Sequence, residues 1–186
     1  MDDEYLGRVA RHYSERWAEP VATLRWTAGP VEEVRPEFRV LLVPRPTGNF
    51  AFATLGMSVP GDAEPLELHV VVKSSQRDAA RDSVVELLAA AAHYHRTGPG
   101  LGLGDTVDFG RGWVRGSACS CGLVSLPYLD GPGLEWMESP RVRFLWLIPV
   151  TPAERDFKRE HGPEELERRF ERARADLLDP RRPSAV

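Results

Sequence analysis

The segment YHRTGPGLGLGDTVDFG, residues 94–110, contains five glycines and joins a predicted helix to a predicted strand. Glycine loops that bind phosphate lead into a helix N-terminus, where free N–H groups and the helix dipole favour an anion. Here the glycines follow the helix instead, which argues against a phosphate site. Gly98 in a left-handed conformation and Pro99 form the predicted helix stop. We therefore interpret residues 98–105, the glycine connector, as a link between two structural elements.

Helical patterns occur on both sides of the glycine connector. The long predicted helix before it starts with Ser75 and Asp78, which resemble a capping box. Nearer the C-terminus, Thr151, Pro152 and Glu154 form a stronger start signal, because proline suits the first helical position. The patterns predict helices at residues 4–17, 75–96, 151–162 and 163–177.

Apolar runs predict the strands of a sheet. The run at 141–150 contains FLWLI, which is apolar on both faces, so we expect a central strand covered on both sides. In the run at 66–72, Glu67 and His69 face away from the leucines, and we expect their face to be solvated or partly covered. The predicted strands are residues 22–26, 38–43, 51–57, 66–73, 106–113, 123–129 and 141–150.

Composition limits the class of protein. A chain of 186 residues with 42% hydrophobic content can form one domain, residues 1–186, in which we interpret 180–186 as a polar tail. The net charge of -4 argues against nucleic-acid binding and favours a basic partner. No signal peptide precedes the first helix, and no apolar run reaches the ~20 residues that span a membrane. We therefore expect a soluble, cytoplasmic protein without a membrane partner.

Two arrangements of residues would make the protein a small hydrolase. Ser120 lies in ACSCG, residues 118–122, which imitates a nucleophile elbow. That motif needs a helix after the serine, whereas the following residues are strand-like. Glu67 and His69 could exchange protons if they lay in a cleft. Neither arrangement is a complete catalytic set, so we expect no enzymatic activity.

The cysteines and histidines do not predict a metal or cofactor site. Cys119 and Cys121 would share one face of an extended strand, but a zinc site needs further ligands. A disulfide between alternate strand residues would be strained, and two cysteines suit a reducing compartment. His93 and His95 would point to opposite sides of a helix and cannot hold one ion together.

Four segments, in this order, resemble the Suppressor of Fused domain family. They are residues 53–58 (ATLGMS), 67–72 (ELHVVV), 88–110 with the glycine connector and GDTV, and 144–154 (FLWLIPVTPAE). The resemblance covers roughly residues 50–170. At the position after the last glycine of the connector, where similar bacterial domains often have histidine, this chain has Asp105.

The resemblance implies a mixed α+β domain with a largely antiparallel sheet flanked by helices. It also implies protein binding and no catalysis. Animal members clamp a transcription-factor peptide between this domain and a second one, and we expect this chain to be too short for that second domain. Stand-alone bacterial relatives are associated with polymorphic toxin systems, in which they act as immunity proteins.

The combined hypothesis is a cytosolic binding module that neutralises a toxin by steric occlusion. Its groove would lie between the glycine connector and the loop that carries Trp136, and would receive a strand or loop of the partner by edge addition or pocket insertion. Acidic residues would form a rim that attracts a basic partner. The predicted partner-binding residues are Asp105, Asp108, Asp130, Glu135, Trp136 and Glu138. The alternatives are the hydrolase described above and a self-associating regulatory or structural domain.

Overall fold

The computed structural model describes residues 3–29 and 36–186. The helices in these residues are α1 (Asp3–Arg16), α2 (Arg77–Thr97), α3 (Pro132–Glu135), α4 (Pro152–His161) and α5 (Pro163–Ala173), with a 3₁₀ turn at Ser74–Gln76. The strands are β1 (Ala22–Leu24), β2 (Arg39–Pro44), β3 (Phe50–Leu55), β4 (Leu66–Val72), β5 (Thr106–Asp108), β6 (Cys121–Ser125), β7 (Trp136–Glu138) and β8 (Arg141–Val150). No helix in these two ranges is long and apolar enough to cross a membrane.

The strands form one mixed sheet in the order β1-β2-β3-β4-β8-β6-β5. Strand β8 pairs in parallel with β4, and every other pair is antiparallel. On the side of β8 away from β4, β6 pairs with residues 146–150 and β7 with residues 141–143. β7 therefore continues the line of β6, and residues 126–135 leave the sheet between them. This arrangement confirms the predicted α+β class.

Helices cover both faces of the sheet, as the apolar pattern of β8 predicts. On one face, Leu145 and Leu147 belong to a core cluster with residues of α2 such as Leu88. On the other face, Phe144 packs with α1 and Trp146 packs with α5. Because both faces are covered, all residues from 144 to 150 are buried. The expectation of a central, doubly covered strand is confirmed.

The ends of α2 differ from the sequence-based prediction. Ser75 and Asp78 do not form a capping box, because the 3₁₀ turn precedes the helix and Gln76 makes no side-chain cap. Gly98 is extended, with φ -100° and ψ -156°, so the predicted left-handed conformation is wrong. Its N–H bonds to the Tyr94 carbonyl at 2.8 Å, and a Cβ would lie 2.8 Å from that oxygen. Glycine is needed at position 98 because a Cβ would lie too close to the Tyr94 carbonyl oxygen, and not because the backbone is left-handed.

Helix α4 starts as the sequence predicts. The Thr151 hydroxyl accepts a hydrogen bond from the Glu154 N–H at 3.2 Å, and the Glu154 carboxylate accepts one from the Thr151 N–H at 2.8 Å. This is the reciprocal capping box that the spacing implies. The expectation of a polar tail at 180–186 is wrong in one respect, because Pro180 and Arg182 are buried against the domain.

A left-handed residue at the end of α5 leads to a stability prediction. Arg174 has φ 48° and ψ 46°, a conformation that costs a side-chain-bearing residue roughly 1–2 kcal/mol. Arg174→Gly should therefore raise the unfolding free energy by up to about 1 kcal/mol, since glycine's larger unfolded-state entropy offsets part of the gain. Arg172→Gly, inside the same helix, should lower it by about 1 kcal/mol. Urea unfolding of both variants checks the prediction. It would be contradicted if both substitutions changed the unfolding free energy in the same direction.

Candidate functional site

A groove lies between the glycine connector and β7. Its cavity volume is about 310 Å³, and the segment before β4 forms its third wall. Both edges that the sequence analysis placed beside a groove, the connector and Trp136, are present. The lining residues are Ala63, Glu64, Pro65, Leu66, Leu101, Gly102, Leu103, Trp136, Arg141, Arg143 and Leu145.

The glycine connector is held in one conformation by hydrogen bonds. The Leu101 N–H donates to His95 Nδ1 at 2.9 Å, which fixes the connector to the end of α2. The Gly102 N–H donates to the Asp105 carboxylate at 2.8 Å. The backbones of Gly104 and Asp105 then pair with Val124, at 2.8 and 2.9 Å. Asp105 therefore stabilises the connector through a hydrogen bond inside the connector itself.

The other wall of the groove combines a tryptophan with two arginines. Trp136 lies directly across from Arg143 in the β7–β8 pair. The guanidinium carbons of Arg141 and Arg143 lie 4.6 and 5.1 Å from the centroid of the indole ring, within the range of cation–π attraction. Arg143 also donates two hydrogen bonds to Glu135, at 2.8 and 3.0 Å. Sequence reasoning missed both arginines, although their alternation in RVR at 141–143 places them on one strand face.

Most of the predicted acidic rim is neutralised inside the chain. Asp108 pairs with Arg155 and Glu135 pairs with Arg143, whereas Asp105 accepts a neutral N–H from the connector and stays exposed. Glu138 is exposed on β7. The acidic charge that this surface offers to a partner is therefore smaller than the sequence indicates.

Asp130 is not on the rim at all. Its side chain is 7% exposed, and Oδ1 accepts hydrogen bonds from Trp17 Nε1 at 2.6 Å and from two nitrogens of Arg45. These contacts anchor the segment that leaves the sheet between β6 and β7. The partners lie 85 and 113 residues away in sequence, which is why the loop context alone pointed to an exposed acid.

Glu67 and His69 do not form an acid–base pair in a cleft. Both residues have 0% exposure, so the expectation of a solvated or partly covered face is wrong. Glu67 accepts hydrogen bonds from the Thr54 and Ser58 hydroxyls and from backbone N–H groups of residues 56–58. Burial raises the pKa of Glu67 against the lowering effect of these hydrogen bonds.

His69 is enclosed without a hydrogen bond of its own. Both ring nitrogens lack a hydrogen-bond partner among the described residues, and Nε2 lies 3.9 Å from Asp130 Oδ2. Burial lowers the pKa of His69 to about 4, while Asp130 acts to raise it and Arg45 to lower it. A neutral imidazole with no exposed surface cannot reach a substrate.

Ser120 and the cysteines do not form a nucleophilic site. Ser120 lies just before β6, and within the described ranges its hydroxyl contacts Cys121 Sγ at 3.9 Å instead of a histidine. Cys119 and Cys121 are free and buried, but they belong to core clusters on opposite faces of the sheet. Burial raises the pKa of both thiols, that of Cys119 to about 11. Residues 3–29 and 36–186 contain no cluster of three or more metal-binding side chains.

These features define a class: an α+β domain with an open groove beside a mixed sheet. The sequence model of the Suppressor of fused protein (SUFU) family matches residues 35–183. The chain therefore belongs to this family of protein-interaction domains. Among curated proteins, no sequence matches the chain.

Solved structures show the same relationship. A putative SUFU homologue from Neisseria gonorrhoeae is 32% identical, and the match covers 99% of this chain and 98% of that one with a TM-score of 0.78. Two more distant structures share the fold. The Sufu protein of a Sufu–Fu complex is 14% identical, with 98% and 91% of the chains covered and a TM-score of 0.66. Drosophila Suppressor of Fused is 15% identical, with 97% of this chain and 50% of that chain covered and a TM-score of 0.64.

Proposed function

We propose that this protein is a non-enzymatic, cytoplasmic binding domain that acts as an immunity protein. It neutralises a toxin by steric occlusion, using the groove between the glycine connector and Trp136. The open groove is the observation that carries the proposal. Two further findings support it: the family consists of protein-interaction domains, and one structural relative was crystallised in a Sufu–Fu complex.

The surface around the groove suits binding by an extended segment. In the described ranges the terminal strand β5 pairs with no strand other than β6, so a partner strand can add to its outer edge. Leu103 on the connector is 46% exposed, and Tyr94 at the end of α2 is 39% exposed. Apolar side chains that remain this exposed beside a groove are typical of binding surfaces.

The charge that a partner should have can be judged from the long-range field of the protein and from the charged residues beside the groove. At long range, the net charge of -4 attracts a toxin with a basic surface. At short range, Asp105 and Glu138 are exposed, but Asp108, Glu135 and Asp130 already have cationic partners. The proposed basic toxin is therefore attracted mainly by the overall field of the protein.

Co-expression with the toxin encoded by a neighbouring gene tests the proposal. We expect growth to be rescued and the two proteins to purify together. Leu103→Arg should weaken the complex about tenfold, because it places a cation at the apolar edge of the groove. Val21→Arg is the matched control: Val21 is 60% exposed but lies beside β1, at the opposite edge of the sheet, and should leave the complex unchanged.

Two results would contradict the proposal. The first is a toxin that neither binds the protein nor loses toxicity, and the second is an equal effect of both arginine variants. Light scattering of the isolated protein adds a separate test. A monomer is expected, whereas a stable dimer would favour the self-associating alternative.

A further inference from the structure

We infer that the groove binds an extended partner segment in which an acidic residue lies next to an apolar one. Arg141 would bind the carboxylate, and the cavity would receive the apolar side chain. This inference rests on the proposed function, because it names the partner segment of the same groove. Four features of the structure support it.

The first feature is the open edge of β7. In the described part of the chain, β7 pairs with β8 and with no other strand. The glycine connector and β7 line the same cavity without pairing with each other. The unpaired backbone edge of a strand is a template for an added strand. An extended segment can therefore lie along β7, between the strand and the connector.

The second feature is the guanidinium of Arg141. The side chain is exposed and has no acidic partner among the described residues, whereas Arg143 beside it is occupied by Glu135. Contact with the Trp136 ring at 4.6 Å restricts the orientation of the guanidinium. A planar guanidinium held in this way is suited to bind a carboxylate through two parallel hydrogen bonds.

The third feature is the apolar part of the lining. Leu66, Leu101 and Leu145 are buried at the base of the groove, and Leu103 is exposed at its rim. Every second side chain of a strand points to the same face, so Arg141, Arg143 and Leu145 share one face of β8. The charged part of the groove therefore lies next to its apolar part. A partner with an acidic side chain and an apolar side chain close together would match both parts.

The fourth feature is Glu64, which limits how much negative charge the groove accepts. It is exposed on the wall before β4 and lines the same cavity. A partner carboxylate on Arg141 therefore experiences repulsion from Glu64, and a second acid nearby would be disfavoured. The matching segment has one acidic residue, not an acidic run.

A peptide-display selection against the full chain tests the inference. A library of random extended peptides is selected on the wild-type protein and, separately, on Arg141→Glu. We expect wild-type selection to enrich a single Asp or Glu beside an apolar residue, and Arg141→Glu to enrich Lys or Arg at that position. Arg159→Glu, an exposed charge reversal on α4, is the matched control and should keep the wild-type preference.

Affinities of one enriched peptide provide the quantitative test. Arg141→Gln should weaken binding about tenfold, as expected for loss of a charge-assisted hydrogen-bond pair. Glu64→Gln should strengthen binding roughly two- to fivefold, because it removes the exposed competing charge. The two variants should change the affinity in opposite directions, whereas general damage to the fold would weaken binding in both. Unfolding curves of both variants check whether the fold is intact.

The outcomes distinguish this inference from the proposed function. If no peptide is enriched on the wild-type protein, the present inference is overturned, whereas the proposed function is judged by the co-expression test. If peptides are enriched without an acidic residue, or if Arg141→Glu selects the same peptides as wild type, only the present inference is overturned. Enrichment of acidic runs would also overturn it, because Glu64 disfavours a second carboxylate.

Discussion

Arg182→Ala is expected to lower the free energy of unfolding by about 3–5 kcal/mol, the cost of leaving a buried charge without its partner. The Arg182 and Glu154 side chains are 3% and 0% exposed and share two hydrogen bonds, at 2.6 and 2.8 Å. Arg182 also donates to the Pro149 carbonyl at 3.1 Å and lies over the Phe170 ring. Removal of the arginine would therefore leave the Glu154 carboxylate in the core without a cation.

The loss would extend to the start of α4 and to the C-terminal segment. Glu154 is the capping residue of that helix, and its carboxylate also accepts the Ala185 N–H at 2.8 Å. The buried pair of Glu154 and Arg182 thus connects three segments. Glu154 binds the helix start and the C-terminal segment, and Arg182 binds β8. We expect the variant to release residues 183–186 as well as to lower the midpoint of urea unfolding.

Arg181→Ala is the matched control for this prediction. Arg181 is the preceding residue, is exposed, and makes a single side-chain hydrogen bond, to the Arg115 carbonyl at 3.3 Å. Its replacement should change the unfolding free energy by less than about 0.5 kcal/mol. Urea unfolding at neutral pH compares the two variants, and similar losses would show that the buried ion pair is not what stabilises the C-terminal segment.

Local features of the sequence were sufficient to predict the four longer helices and every strand except β7, whereas α3 and β7 lie in a stretch that was expected to be an exposed loop. The capping box of Thr151 and Glu154 spans four residues, and the apolar run of β8 shows directly that the strand is covered on both faces. Such signals depend on neighbours along the chain, which the sequence displays. The start of α2 was misjudged because the Ser75 and Asp78 spacing is common outside true caps, and the 3₁₀ turn is not encoded by that spacing.

The sequence predicted which segments form the edges of the candidate site, but not which of its charged residues are buried or paired. The glycine connector and Trp136 were recognised from composition, and both line the groove. The partners of Asp130, Glu67 and Glu154 come from other elements, so no local pattern shows that these acids are buried. Arg141 and Arg143 could have been found from cross-strand pairing with Trp136, but only after β7 had been recognised as a strand.

The buried, unpartnered His69 gives the second large prediction, a loss of about 3 kcal/mol of stability on acidification. The pKa of His69 is about 4 in the folded protein, against 6.5 for an unperturbed histidine. Between these values the unfolded chain binds the proton and the folded one does not, so protonation favours unfolding. The contribution is fully present above pH 6.5 and is lost as the pH falls towards 4, at about 1.4 kcal/mol for each pH unit.

His69→Gln isolates this contribution, because glutamine does not titrate. We expect the unfolding free energy of the wild type to fall more steeply than that of His69→Gln between pH 6.5 and 4. Acid-sensitive groups that do not contact His69 are common to both proteins and largely cancel in the difference. His161→Gln, on the exposed surface of α4, should leave the wild-type slope nearly unchanged. Parallel pH curves for wild type and His69→Gln would mean that the folded protein admits a proton to this site, which would require Asp130 Oδ2 to move within hydrogen-bond reach of the ring.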